Sequence, residues 1–252
     1  MPNYLCLYDE NTFSENWQEC EREKICEDIQ SKTLQITAYK PKMDDEDYLD
    51  NWVDKLDLMC LSDAQIGLLG SAFFFGLFIG LPFIPSLGDK YGRKIVFHYT
   101  LIITMVAALG LHFSRNYNFT LFCTFTMGVL WNGKNIIGMS YADELLHKDY
   151  RKDYITAMFI IGSFVMFSIP LVYITITRSW YFQSYLMLSW AAGALCICPF
   201  YIPESPKYLY TKGRFDEARQ SLFVIARHNR VCIMENIMFD KEDPKYLKRE
   251  EE

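Results

Sequence analysis

Asp89, Lys90, Arg93 and Lys94 crowd into six positions between two apolar runs. Side chains of both signs set so closely can pair with one another and bond helix ends. Glu144 and Arg151, seven positions apart, form a second such set, and Glu204 heads a third in Pro203–Leu209. Lys134 differs, because it falls inside an apolar run, where an ammonium group is costly and ordinarily faces a water-filled path or a partner. Its neighbours Trp131 and Asn132 can offer a π face and amide hydrogen bonds to a flat organic solute; Trp131 can equally pack against a helix. Cys6, Cys20, Cys26 and Cys60 lie in polar sequence. In an oxidising compartment they can pair in three ways, and elsewhere they stay thiols. None of this is catalytic chemistry. The four His are scattered, and Gly133-Lys134-Asn135 lacks the rest of a phosphate loop. Cys196 and Cys198 offer two of the roughly four ligands a zinc ion needs. An enzyme, a cofactor, a metal and a nucleic-acid partner are therefore not expected.

The elements that would carry these residues can be read from composition. Of 252 residues, 51% are hydrophobic and 16% aromatic. Five stretches are each long enough for a bilayer core: Ala64–Leu87, Ile95–Phe113, Phe119–Ala142, Tyr154–Thr177 and Phe182–Ile202. The short links between them leave too little polar surface to cover five such segments in water, which makes the chain a multi-pass protein of the lipid bilayer. Residues 1–60 carry six basic and fifteen acidic side chains, net −9, so the remainder is +3 against the total of −6. Lys90, Arg93, Lys94, Lys148, Arg151, Lys152, Lys207, Lys212, Arg214 and Arg219 follow the first, third and fifth stretches, whereas the other links hold Arg115 and Arg178. The positive-inside rule then puts the basic links in the cytoplasm and the acidic amino-terminal arm outside.

Three parts are expected: residues 1–61 as an extracellular acidic, Cys-bearing loop or arm, 62–202 as five transmembrane helices, and 203–252 as a cytoplasmic linker. Asp44–Asp47 reads as a solvated acidic patch and the last residues, KREEE, as an exposed tail. Ser62 and Asp63 suit a helix start. Gly76 and Gly80 permit close approach of another helix, and Pro82 and Pro85 suggest a kink. Asn118 opens a glycosylation sequon beside the membrane. Phe215, Ala218, Leu222 and Ile225 recur at helical spacing, which predicts an amphipathic helix at the cytoplasmic membrane surface.

GDKYGRK, at Gly88–Lys94, resembles the loop signature DRxGRR or DRxGRK of the major facilitator superfamily, with Asp89, Gly92, Arg93 and Lys94 matching. ELLHKDYR, Glu144–Arg151, is similar to the segment after the fourth span of sugar porters and organic-ion transporters, with His147 and Lys152 in place of the common Pro and Gly. PESPKYL, Pro203–Leu209, looks like the signature after the sixth span. Within the superfamily, DLMC (Asp57–Cys60) and NGKNIIGMSYADE (Asn132–Glu144) resemble the organic cation/anion transporter branch; sugar porters stand second.

The resemblance covers Asp57–Asn229 and implies an all-α partial major facilitator fold holding spans two to six, with the first span and the second half outside this chain. It further implies alternating-access transport of a small organic solute, with proton or sodium coupling open. Asp89, Gly92, Arg93, Lys94, Glu144, Arg151 and Glu204 would gate the cytoplasmic side through pairs of opposite charge. Lys134, Trp131 and Asn132 would line the solute path. The acidic arm favours a cation and Lys134 an anion, so the expected class is organic ions of unspecified sign. A second expectation of another kind is a five-span receptor or assembly protein acting through its arm.

Overall fold

The computed structural model describes residues 4–8, 17–31, 36–42, 50, 52–231 and 238–242. Asp44–Asp47 and the KREEE tail lie outside the described residues.

The arm carries secondary structure of its own, including strands, so the chain is mostly helical rather than all-α. It builds β1 (Tyr4–Tyr8), β2 (Trp17–Cys20), helix α1 (Arg22–Ser31), β3 (Ile36–Pro41) and the single turn α2 (Trp52–Lys55). The strands form one antiparallel sheet in the order β2-β1-β3. Alternation along β1 turns Tyr4 and Cys6 inward, onto Ile25 and Met59. Disulfides Cys6–Cys20 and Cys26–Cys60 close this core. A unit this small has little apolar surface to bury, and the cross-links supply what burial cannot.

A series of helices comes next. Ser62 opens α3 (Asp63–Tyr91) with a capping box shared with Gln65. After it come α4 (Arg93–Phe113), α5 (Tyr117–Asn132), a π turn (Gly133–Ile137) and α6 (Gly138–Leu145). Then α7 (Arg151–Thr175), α8 (Trp180–Tyr201), the short α9 (Pro206–Thr211) and α10 (Phe215–His228) complete the order. Among the described residues four helices, α3, α4, α7 and α8, are each long and apolar enough to cross a membrane. The remaining apolar stretch runs through α5, the π turn and α6, so its helical path is interrupted at Gly133.

Glycines set the tightest contact. A Cβ on Gly76 would lie 2.3 Å from the Phe125 carbonyl oxygen, one on Gly80 2.2 Å from that of Val129, and one on Gly128 2.1 Å from that of Phe73. Helices α3 and α5 therefore meet backbone to backbone, which dispersion favours in a medium without a hydrophobic driving force. By contrast, α7 and α8 bury no residue and present apolar side chains such as Phe164, Phe167, Trp190 and Phe200 outward.

The arm is fastened to the helices through Arg22, Asp50 and Lys55, and Asp50 accepts from the Tyr173 hydroxyl at its carbonyl at 2.6 Å and from the Ser179 hydroxyl at its carboxylate at 2.8 Å. Arg22 donates to the carbonyls of Met59 and Leu61 and pairs with Asp63 at 3.1 Å. Lys55 donates to the carbonyls of Leu111 and His112, where α4 ends, and lies 4.4 Å from the Trp180 ring centroid. Desolvation and the nearby Arg115 hold the Lys55 ammonium below the usual lysine range, with Asp50 opposing them.

At the other end of the chain, α10 buries Ala218, Ser221 and Ala226. Ala218 packs on Tyr208 and Leu209 of α9, with Phe239 against them. Part of the apolar stripe expected at a membrane surface is thus used within the protein.

Candidate functional site

The first cluster gathers where α3 turns into α4. Gly92 joins the two helices at φ 114°, and a Cβ there would come within 2.6 Å of Glu204 Oε2. Glycine has no side chain with which to cap α4. Glu204 does so from 110 positions away: its Oε1 accepts the backbone N–H of Lys94 at 3.0 Å and that of Ser205 at 2.9 Å. The carboxylate therefore sits at the positive end of the α4 dipole. The expectation that Glu204 pairs with a cationic side chain is corrected by this geometry: its partners are backbone amides.

Arg93 bridges two acids. It bonds Asp89 one turn back and meets Glu144 with Nε 3.4 Å from Oε2. The Glu144 side chain is only 9% exposed, so its charge is held largely through this guanidinium. Arg151 pairs with Asp143 at 3.5 Å. The Lys94 ammonium donates to the Pro199 carbonyl near the end of α8 at 3.0 Å, a favourable place for a cation.

Three residues not singled out in the sequence complete the cluster. Tyr208 donates to the Lys90 carbonyl at 3.0 Å, Tyr141 donates to the Pro203 carbonyl, and Ser221 donates to the Glu204 carbonyl at 2.6 Å. The ends of α3, α6 and α8 and the start of α4 are thereby tied to α9 and α10. Tyr141 and Tyr208 lie within the motif stretches themselves, but their acceptors are backbone carbonyls that no side-chain pattern announces.

The second cluster lies within the apolar stretch. The Lys134 ammonium stands 4.5 Å from the Trp131 ring centroid, and Trp131 meets Phe73 of α3 edge-on at 5.8 Å. Among the described residues no carboxylate lies within ion-pair distance of Lys134. Asn132 is 3% exposed and donates its amide to the Leu77 carbonyl at 2.9 Å, so its donor is already engaged with α3. The structure thus brings Lys134 and Trp131 together and turns Asn132 toward the packing.

These motifs have counterparts in known proteins. The family model described as "Sugar (and other) transporter" matches residues 8–242. The chain belongs to this family, within the major facilitator superfamily. Its members are transporters rather than enzymes. Similar proteins include the niacin transporter NiaP of Acinetobacter baylyi, 27% identical over 71% of this chain and 41% of its own length. The human organic cation/carnitine transporter 2 is 30% identical over 75% of this chain and 34% of its own. A D-xylose transporter of Levilactobacillus brevis is 29% identical over 75% and 42%. The chain thus spans 34–42% of the length of these three relatives. As a member of the sugar (and other) transporter family it is an integral multi-pass membrane protein, in keeping with its apolar helices.

Proposed function

We propose that this chain contributes one wall of a secondary carrier for small organic ions, operating by alternating access. The observation that carries the organic-ion reading is Lys134, an ammonium within an apolar stretch, set over Trp131 with no carboxylate in pairing range among the described residues. A cation beside an indole face offers a solute both charge and a stacking surface. In this reading α5, the π turn and α6 together make a fifth crossing, and α3 to α8 are spans two to six of the family fold. Residues 1–61 lie outside, and the Arg93 cluster and 203–252 face the cytoplasm at the plasma membrane. The Arg93–Asp89–Glu144 set, the Arg151–Asp143 pair and the Glu204 cap hold the cytoplasmic side in one of two states, since a network of a few kcal/mol is enough to bias a rocking equilibrium.

Two measurements test this. An antibody against the Cys6–Cys60 arm reports the native polypeptide's mass in source membranes. A band well above the 29.6 kDa of this chain, at roughly twice that value for a two-half carrier, is expected. A band at 29.6 kDa speaks for a five-span receptor or assembly protein instead. Uptake by the complete protein is then compared for organic cations, organic anions, zwitterions and pentoses, with Lys134→Ala alongside. Saturable uptake of an organic ion, lost in Lys134→Ala, supports the reading. Pentose uptake alone, indifferent to Lys134, overturns it in favour of a sugar carrier, the activity named for the xylose relative.

A further inference from the structure

Asn132 ends α5 and is almost fully buried, in surroundings where an amide without a partner is expensive. Its amide reaches the Leu77 carbonyl because Gly80 leaves room: a Cβ on Gly80 would stand 2.9 Å from Asn132 Nδ2. Leu77 precedes a weak point in α3, since Pro82 has no N–H to give the carbonyl of Phe78. One side-chain bond therefore ties the proline-bearing turn of α3 to the start of the π turn. Gly133 is seated just as closely on the other side, where a Cβ would lie 2.4 Å from Thr100 Cγ2 of α4. The two residues before Lys134 are thus held by α3 and by α4, whereas the Lys134 side chain itself is met by the ring of Trp131.

A π turn carries one residue more than the α-helix around it and is retained only where neighbours stabilise it. Relaxation to regular α-helix would rotate the downstream residues by on the order of 100° per residue removed. We infer that Asn132 is a positioning residue: by holding the π turn against Leu77 it sets where Lys134 stands relative to Trp131, and it is not itself a ligand of the solute. The functional weight of this inference rests on Lys134 lining the solute path, but the placement can be measured without transport.

The test uses the complete protein in membranes, with Cys123, Cys196 and Cys198 replaced by Ala and the arm disulfides kept. Lys134→Cys is reacted with a water-soluble cationic methanethiosulfonate, with and without Asn132→Leu, which matches the size of Asn132 and lacks its donor. Loss of a buried hydrogen bond shifts a local equilibrium enough to change the labelling rate at position 134 about tenfold. The rate at a Lys148→Cys control should stay the same. An unchanged rate at position 134 overturns the inference. If Asn132→Leu does not reach the membrane, Asn132→Ser, too short to bond Leu77, is expected to give the same change, and an unchanged rate there is equally decisive. Uptake in Lys134→Ala separates the two ideas. Lost uptake with unaltered labelling refutes the positioning role alone, whereas altered labelling with unaffected uptake supports the positioning role and refutes the solute path.

Discussion

Glu204 caps a helix it does not belong to: its carboxylate accepts the Lys94 N–H at 3.0 Å, across 110 positions of sequence. The junction residue Gly92 leaves the space that this carboxylate fills, so the loop signature and the PESP stretch are two halves of one joint. Glu204→Ala should lower stability by about 1–2 kcal/mol, the usual worth of a cap, and Glu204→Gln by less, because an amide oxygen still accepts. Gly92→Ala should cost about 1–3 kcal/mol through its positive φ and its collision with Glu204. Adding Glu204→Ala to it should relieve the collision and leave the φ strain, so the double variant should fall short of the sum. Thermal unfolding of the four purified variants in detergent checks the set, and strict additivity would refute the shared joint.

The backbone contact between α3 and α5 makes a graded prediction. Gly80→Ala and Gly128→Ala each force the helices apart and should destabilise by about 1–3 kcal/mol. Gly162→Ala on α7, where nothing lies within 4 Å, should be neutral or slightly stabilising. Size-exclusion profiles after a heat ramp will rank the three, and equal losses at all three positions would contradict the packing described.

For the arm, Cys26→Ser together with Cys60→Ser should cost about 2–4 kcal/mol and expose the segment to protease. Replacing Cys196 or Cys198 should leave protease resistance and non-reducing mobility unchanged. Limited proteolysis of the intact protein, with and without reductant, reads both effects. Equal resistance before and after reduction would remove the cross-links from the account.

How much of the structure is legible in the sequence tracks how local each cause is. The apolar stretches, the Ser62 start and the Gly76–Gly80 spacing all act within a helix or on its surface, and each is visible as composition or periodicity. The sheet of the arm is hidden because its core is four residues and two cross-links, too small to impose an alternating pattern over its polar strands. Glu204 and Tyr208 escape a side-chain reading for another reason: their partners are backbone groups, which carry no residue identity. Arg151 reaches Asp143 and not the neighbouring Glu144 because adjacent positions on a helix point about 100° apart, and Glu144 is turned toward Arg93. Asn132 suggests a solute contact because a buried amide invites one; only the Leu77 distance shows where its proton goes.

Helix α4 is pinned by charge at both tips. A carboxylate, Glu204, holds the Lys94 amide of its first turn and an ammonium, Lys55, holds the Leu111 and His112 carbonyls of its last, each of the sign that the dipole favours there. Its 21 residues span about 30 Å, the thickness of a bilayer core. Such a rod cannot tilt without straining an ionic fastening at one of its ends. The disulfide-bonded arm and the Arg93 cluster, at opposite ends of α4, are therefore mechanically joined through it, as they are through α3, which starts at the Arg22–Asp63 pair and ends at the Asp89–Arg93 pair.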